Sequence, residues 1–470
     1  MREAAAPSPR FIAVLDIGKT NAKVVLHDIA SGKDVISRSL PNAARQDGPY
    51  PHADTEQLFD FALASLADIA REAPIDAISI TSHGACAALV RQDRLALPIL
   101  DYEYEGPDET AEAYDRRRPA FAETFSPRLP VGLNLGAQIF WQQQCFPKEF
   151  EQTTAILTYP QYWAWRLSGV FASEATSLGC HTDLWAPMTG DFSSLVERQG
   201  WRPLFPPLRR AADALGPLLP ALARKIDLAQ PVPVHCGIHD SNASLLPHLL
   251  DEVAPFSVVS TGTWVICFAV NGSLQHLDPA RDTLANVDAF GRPVPSARFM
   301  GGREFALLKE RHPDWQTSTP FAVGDISALL ERQVMLLPNI IPGSGPFPHR
   351  SMQWRNDVDA SSSARQMAAA LYLALMTETC LGLISAAGPI MIEGPFAANV
   401  AYCEILATLT GREVKRCIGT TGTSSGAALL AAGAIKRPQP HWPAIDPTKT
   451  GIDQRLLQAY AAAWRAAAAS

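Results

Sequence analysis

The sequence is poor in the features that mark a nucleic-acid binder, a disulfide-built domain or a membrane protein. Basic residues are not in excess. Lys plus Arg number 40 against 47 Asp plus Glu, a formal net charge of −7, so the chain lacks the cationic footprint that nucleic acid or an anionic lipid surface requires. The 470 residues contain only 8 cysteines, scattered and without a C-x-x-C pair, which excludes a zinc cluster or a thiol redox motif and reads as a reduced, cytoplasmic chain. No stretch approaches ~20 uninterrupted apolar residues, so no membrane span is expected. The one early apolar run, Phe11 to Leu15, stops at Asp16, too short for a signal peptide.

What is present is an ordinary globular composition, 47% apolar and 19% charged. At roughly 100–200 residues per domain the length predicts two or three domains. Residues 1–10 read as a loose tail. FIAVLDIGKTNAKVVLHDI then reads as two strands around a polar turn at Gly18–Asn21. A helix is expected over Thr55–Arg71, with Leu58, Phe61, Ala62, Leu66 and Ile69 on one face. A buried strand, Ile75–Thr81, follows and ends at Ser82-His83-Gly84. Residues 136–168 carry helical, aromatic-rich patterns, and 203–233 form a Pro/Leu/Ala-rich connection. VPVHCGIHDSNASLLPHLL gives a short strand, a polar turn and a helix.

Beyond residue 250 the pattern restarts. SVVSTGTWVICFAV is again strand, turn, strand. A long helix is expected over 363–385, a strand over 388–395, helices at Ala397–Thr410 and from Thr421, and a terminal helix over 452–469. Residues 293–362 give the weakest pattern. The repeated hairpin predicts an internal duplication.

Five turns could carry chemistry. Gly18-Lys19-Thr20 imitates the end of a P-loop, but Ala13 stands where the first glycine belongs and a strand follows where a helix is needed. What remains is a hairpin tip beside Asp16, able to offer N–H groups and hydroxyls to phosphate. Ser260-Thr261-Gly262-Thr263 has the same design without the aspartate. Gly237 to Ala243 ends a strand and opens a helix, and its Asp240 reads either as an N-cap or as a general base. Glu393–Asn399 and Gly419–Gly426 place small residues at helix starts, and neither contains G-x-G-x-x-G. His83 reads as structural or as a substrate contact. The aromatics around Trp163 and Trp165 read as core, and the cysteines as buried spectators.

In this order the motifs resemble the FGGY family of carbohydrate kinases. Asp16-Ile17-Gly18-Lys19-Thr20 is similar to its first phosphate motif, Ser82-His83-Gly84 to its sugar-side turn, and Tyr159-Pro160-Gln161-Tyr162 through Gly169 to its Leu-Pro-Lys-Asp-Tyr…Gly segment. Gly237-Ile238-His239-Asp240 resembles the motif of the catalytic base, Ser260 to Trp264 the second phosphate motif, and Gly394 through Asn399 the adenosine motif. The resemblance spans residue 11 to about 432. It implies an α/β fold of two ribonuclease-H-like domains of the actin/hexokinase/Hsp70 type with a cleft between them: residues 1–250 for sugar, 251–470 for ATP. It implies that Asp240 is the base, that His83, Gly84 and His239 join it in binding sugar, and that Asp16 holds Mg²⁺. It assigns ATP to Gly18, Lys19, Thr20, Asn21, Thr261, Gly262, Thr263, Gly394 and Asn399. The expected partners are a ketose and ATP, without nucleic acid or membrane, with a homodimer allowed.

Four positions depart from the family pattern. Lys19 stands where Thr or Ser is usual and is expected to add a phosphate contact. Ala85 replaces a glutamine, and Pro395 and Phe396 replace glycines. His239-Asp240-Ser241 is similar to the run of L-rhamnulose kinases, which points to a 6-deoxyketohexose such as L-fuculose or L-rhamnulose, or to a ketopentose such as xylulose or ribulose. The rival readings are a non-catalytic, nucleotide-gated sugar-binding regulator and a chaperone-like ATPase of the same fold.

Overall fold

The computed structural model describes residues 9–228, 230–315, 326–418, 422–433, 438 and 441–470. The chain forms two compact units. One is Met1–Asp251 with Ala285–Pro293 and Thr421–Gln439, and the other is Glu252–Leu284, Val294–Thr420 and Pro440–Ser470.

In the first unit β1 (Phe11–Ile17), β2 (Asn21–Asp28) and β3 (Lys33–Pro41) form an antiparallel meander. The helix α1 (Thr55–Glu72) then returns the chain to β4 (Ala77–Ser82), which lies parallel to β1. Ile12 to Leu15 are all fully buried, because β1 is central and covered on both faces. Its side chains alternate. Ala13 and Leu15 pack with Leu58, Ala62, Leu66 and Ile69 of α1, while Ile12 and Val14 pack with Ala427 and Ala428 of the helix Thr423–Leu429. Each large apolar side chain so buried contributes ~1.5–3 kcal/mol. The Asp54 carboxylate caps α1 by accepting from Gln57 N, and the helix stops at Ala73 ahead of Pro74.

Strand register positions the site. Ile17 of β1 pairs with Ser82 of β4, and Ser82 pairs with His239 of the short parallel strand Ile238–His239. The carboxyl ends of three parallel strands therefore lie side by side, the edge at which open α/β sheets bind ligands.

The second unit repeats this topology. Phe256–Thr261, Val265–Val270 and Pro293–Phe299 are antiparallel in sequence, Ile390–Glu393 runs parallel to the first of them, and Val414–Cys417 runs parallel to that. Taken over the strands just named, both sheets follow the order third, second, first, fourth, fifth, as the duplicated hairpin predicts. The helix Ser362–Leu383 is the one described helix long and apolar enough to cross a membrane, and it is a core element. Leu371, Tyr372, Ala374, Leu375 and Met376 are fully buried. On the terminal helix Gln454–Ala469, Trp464 Nε1 donates to Leu336 O at 2.7 Å and Tyr460 Oη to Val334 O at 2.8 Å.

Several expected elements differ. The helix expected over Ala397–Thr410 is a 3₁₀ turn, Pro395–Ala398, followed by Val400–Thr410, because Asn399 is non-helical and caps the second piece. The strand expected over Ile75–Thr81 is Ala77–Ser82; Asp76 instead accepts from Arg10 N and Phe11 N. Residues 136–168 are not all helical, since Ala155–Thr158 is a strand between Leu135–Cys145 and Tyr159–Ser168. The connection 203–233 contains the strand Ala214–Pro217 and the helix Pro220–Lys225. Among its described residues the 293–362 stretch contains Pro293–Phe299, the helices Gly301–Arg311 and Ile326–Arg332, and the pair Met335–Leu337 with Gln353–Arg355. The first eight residues of the expected tail and Gly419 to Thr421 of the fifth turn lie outside the described residues.

Candidate active site

Each of the three aligned strand ends delivers one polar side chain. Asp16 comes from the last turn of β1. Its Oδ2 accepts the hydroxyls of Thr423 and, at 2.8 Å, Ser424. Burial pushes its pKa up, and those two hydrogen bonds oppose the shift. The helix carrying Thr423 and Ser424 comes close because Gly426 has no side chain: a Cβ there would lie 1.8 Å from Ala243 O. Ser79 Oγ, on β4, donates to Ala427 O at 2.7 Å and fixes the same helix to the sheet.

His83 follows β4. Its Nδ1 lies 2.9 Å from the carbonyl of Gly84. A carbonyl only accepts, so Nδ1 carries the proton and Nε2 keeps a lone pair. Burial lowers the His83 pKa, so the ring is neutral and Nε2 can accept from a hydroxyl. Gly84 is required by a close approach, since a Cβ would lie 2.7 Å from His239 Nε2.

Asp240 opens the helix Asp240–Asp251. Its Oδ1 accepts from Ser241 N at 2.6 Å and Ser241 Oγ at 3.3 Å, and lies 3.3 Å from His239 Nε2. Among the described residues Oδ2 takes no hydrogen bond, which leaves it open to a substrate proton. Burial raises the Asp240 pKa, and the neighbouring His83 opposes the rise. His239 is pushed down to about 4 by burial and stays neutral. Its Nδ1 lies 3.3 Å from Asn242 Nδ2.

The strand before Asp240 is clamped by residues to which sequence reasoning gave no role. Gln161 Nε2 donates to the carbonyls of Cys236 at 3.1 Å and Gly237 at 3.2 Å. The His239 N–H donates to Thr176 Oγ1 at 3.1 Å. The Thr176 hydroxyl in turn donates to Glu174 at 2.6 Å. Glu174 accepts from four groups of Thr176 and Ser177, and burial lifts its pKa to about 7.

At the first hairpin tip, Gly18 N donates to Asn21 O at 3.0 Å, and the Asn42 side chain donates to Gly18 O at 2.7 Å. Thr20 and Asn21 are exposed. The Lys19 Nζ pairs with Asp101 and, at 3.3 Å, with Glu103.

The remaining candidates lie in the second unit. The buried Thr261 hydroxyl donates to Glu393 O and accepts from Phe396 N at 3.1 Å, so it shapes the Gly394 turn from within. Gly262 N donates to Trp264 O at 2.8 Å, and Thr263 O accepts from Arg303 N at 3.1 Å. The Asn399 side chain is a helix cap, accepting from Tyr402 N at 3.1 Å.

Trp163 is fully buried and Trp165 nearly so, so the aromatic cluster is core. Seven cysteines are buried and Cys145 is exposed; all eight are free thiols. No group of three or more His, Cys, Asp or Glu among the described residues forms a ready metal cage. A hydrated Mg²⁺ needs only one or two carboxylates besides water and phosphate, which fits Asp16, whose Oδ1 takes no hydrogen bond among the described residues.

An alignment of 269 residues is 29% identical to the L-fuculokinase of Escherichia coli strain K12, covering 54% of this chain and 55% of that protein. The chain thus spans about half the length of the curated relatives it matches. A crystal structure of a carbohydrate kinase from Novosphingobium aromaticivorans is 38% identical, covers 98% of this chain and 99% of its own, and superposes with a TM-score of 0.88. A xylulose kinase from Lactobacillus acidophilus, 16% identical over 98% of this chain and 99% of its own, shares the fold with a TM-score of 0.77. Residues 11–247 match the model of the N-terminal domain of the FGGY family of carbohydrate kinases, and residues 253–440 match that of the carbohydrate kinase FGGY C-terminal domain. With both family domains accounted for in order, the chain belongs to the FGGY family of carbohydrate kinases.

Proposed function

We propose that the protein transfers the γ-phosphoryl group of ATP to a primary hydroxyl of a ketose, a 6-deoxyketohexose of the L-fuculose or L-rhamnulose type or a ketopentose such as xylulose or ribulose. The observation that carries this reading is the arrangement at Asp240, where Oδ1 is held by Ser241 while Oδ2 takes no hydrogen bond among the described residues. The substrate oxygen attacks Pγ, its proton passes to Asp240 Oδ2, and the bond from Pγ to the β-phosphate bridging oxygen breaks with the electron pair leaving on ADP. Neutral His83 accepts from a second sugar hydroxyl through Nε2, and Gly84 and His239 complete the sugar side. Positioning of this kind is the main source of rate in phosphoryl transfer.

Asp16 is the residue that would hold Mg²⁺, which when bound offsets charge on the phosphates. Gly18, Thr20 and Asn21 at one hairpin tip, and Thr261, Gly262 and Thr263 at the other, bind phosphate through backbone N–H groups and hydroxyls, while Gly394 and Asn399 shape the adenosine turn. The first unit is then the sugar-binding part and the second the ATP-binding part. The test is a coupled assay of ADP release over ketopentoses, 6-deoxyketohexoses and polyols. Release that requires one of these acceptors supports the reading; ATP turnover indifferent to all of them contradicts it.

A further inference from the structure

Lys19 and Asp101 are far apart in the chain, and the structure makes them one unit. Lys19 Nζ pairs with Asp101 Oδ1, lies 3.3 Å from Glu103 Oε2, and sits 4.9 Å from the centre of the Tyr102 ring. Asp101 is nearly buried, with 9% of its side chain exposed, against 26% for Lys19. Asp101 Oδ1 also accepts from Glu103 N at 3.1 Å, while Oδ2 takes no hydrogen bond among the described residues. The pair lines a cavity of about 20 Å³ together with His83, Cys86, Tyr102 and Tyr159. That volume holds about one water or one hydroxyl. The cavity belongs to the neighbourhood of the base, since His83 lines it and the preceding Ser82 pairs in register with His239, next to Asp240.

We propose that the Lys19–Asp101 pair reads a non-reacting hydroxyl of the phosphate acceptor, and that it restricts the acceptor to neutral polyhydroxy compounds. The proposal rests on the kinase reading above and moves Lys19 from the nucleotide to the acceptor. A hydroxyl both donates and accepts, so one group can donate to Asp101 Oδ2 and accept from Lys19. An acceptor carboxylate gains nothing here. Asp101 and Glu103 already offset the lysine, His83 is neutral, and Asp240 and Asp16 add further negative charge nearby. A free lysine at a hairpin tip would attract sugar acids, whereas a lysine held between two carboxylates does not.

The test measures binding by calorimetry, with no turnover needed. The parent, Lys19→Met and Asp101→Asn are titrated with L-fuculose, L-rhamnulose, D-xylulose and D-ribulose, with L-fuconate and D-xylonate, and separately with ATP. The parent is expected to bind at least one neutral ketose at least tenfold more tightly than either acid. Both variants should lose at least tenfold in affinity for that ketose and keep ATP affinity within about threefold. Asp101→Asn, which keeps its shape but releases the lysine, should gain at least fivefold for the acid. The proposal is overturned if Lys19→Met weakens ATP and spares the ketose, if acids bind the parent as well as ketoses do, or if no neutral ketose binds. Ketose binding with no phosphorylation would instead sink the kinase reading and leave the pair's role standing.

Discussion

Asp16 and Ser424 are 408 positions apart in the sequence, and the serine hydroxyl donates to the carboxylate at 2.8 Å. With Thr423 on the same oxygen, this contact ties the end of β1 to a helix from the far part of the chain. It holds Oδ2, while Oδ1 takes no hydrogen bond among the described residues.

Asp16→Asn keeps an acceptor for both hydroxyls and removes the charge. Acceptor-dependent ADP release should fall by on the order of 10²-fold or more, the usual loss for a preorganised electrostatic group. Thermal stability should hold or rise, because a carboxylate that burial disfavours is gone. Chelation with EDTA should abolish activity of the parent, and added Mg²⁺ should restore it. A parent rate that survives thorough chelation would remove Asp16 from this role.

Gly84→Ala should act on catalysis through His239. The added Cβ meets the buried His239 ring at 2.7 Å, and that ring borders Asp240 Oδ1. A shift of several tenths of an ångström beside the base should cost roughly tenfold to a hundredfold in kcat. Steady-state kinetics with saturating ATP would check this; a kcat equal to the parent's would show that the ring yields without moving Asp240.

Glu174 should give the fold a pH dependence. Its pKa in the folded protein is about 7, above the ordinary 4.5. The folded state therefore binds more protons than the unfolded state between those values, and stability from this group is lost as pH rises from about 4.5 through 7. The full effect is roughly 3 kcal/mol at most. Glu174→Gln should lower stability overall, since several donors lose a partner, yet flatten the slope of the melting temperature between pH 5 and 7. Because Glu174 holds Thr176 and Thr176 receives the His239 N–H, kcat should fall more than KM rises. An unchanged slope would place the titration elsewhere.

What the sequence makes legible is local. The two hairpins could be read because an unbroken apolar strand, a Gly/Thr turn and a second strand are contiguous, and their recurrence after residue 250 reported the duplicated sheet order. The contacts that define the site are not contiguous. Nothing near Lys19 announces Asp101, and nothing near Asp16 announces Thr423 and Ser424. Gln161 lay inside a motif, but its task of holding the Cys236 and Gly237 carbonyls depends on folding. Asp240 could be read as a cap or as a base because either use puts Asp at a helix start. In the structure Oδ1 accepts from the adjacent Ser241 N rather than from an amide one or two residues further on.

That distinction makes Asp240→Asn the most direct measurement. With saturating ATP and the best acceptor from the panel, the variant's kcat should fall by ~10²–10⁴-fold, the range of a lost general base. Melting temperature and ATP affinity should stay close to the parent's, because Asn retains an oxygen for the Ser241 contacts. A kcat within a few-fold of the parent, in a variant that folds and binds ATP normally, would contradict Asp240 as the base.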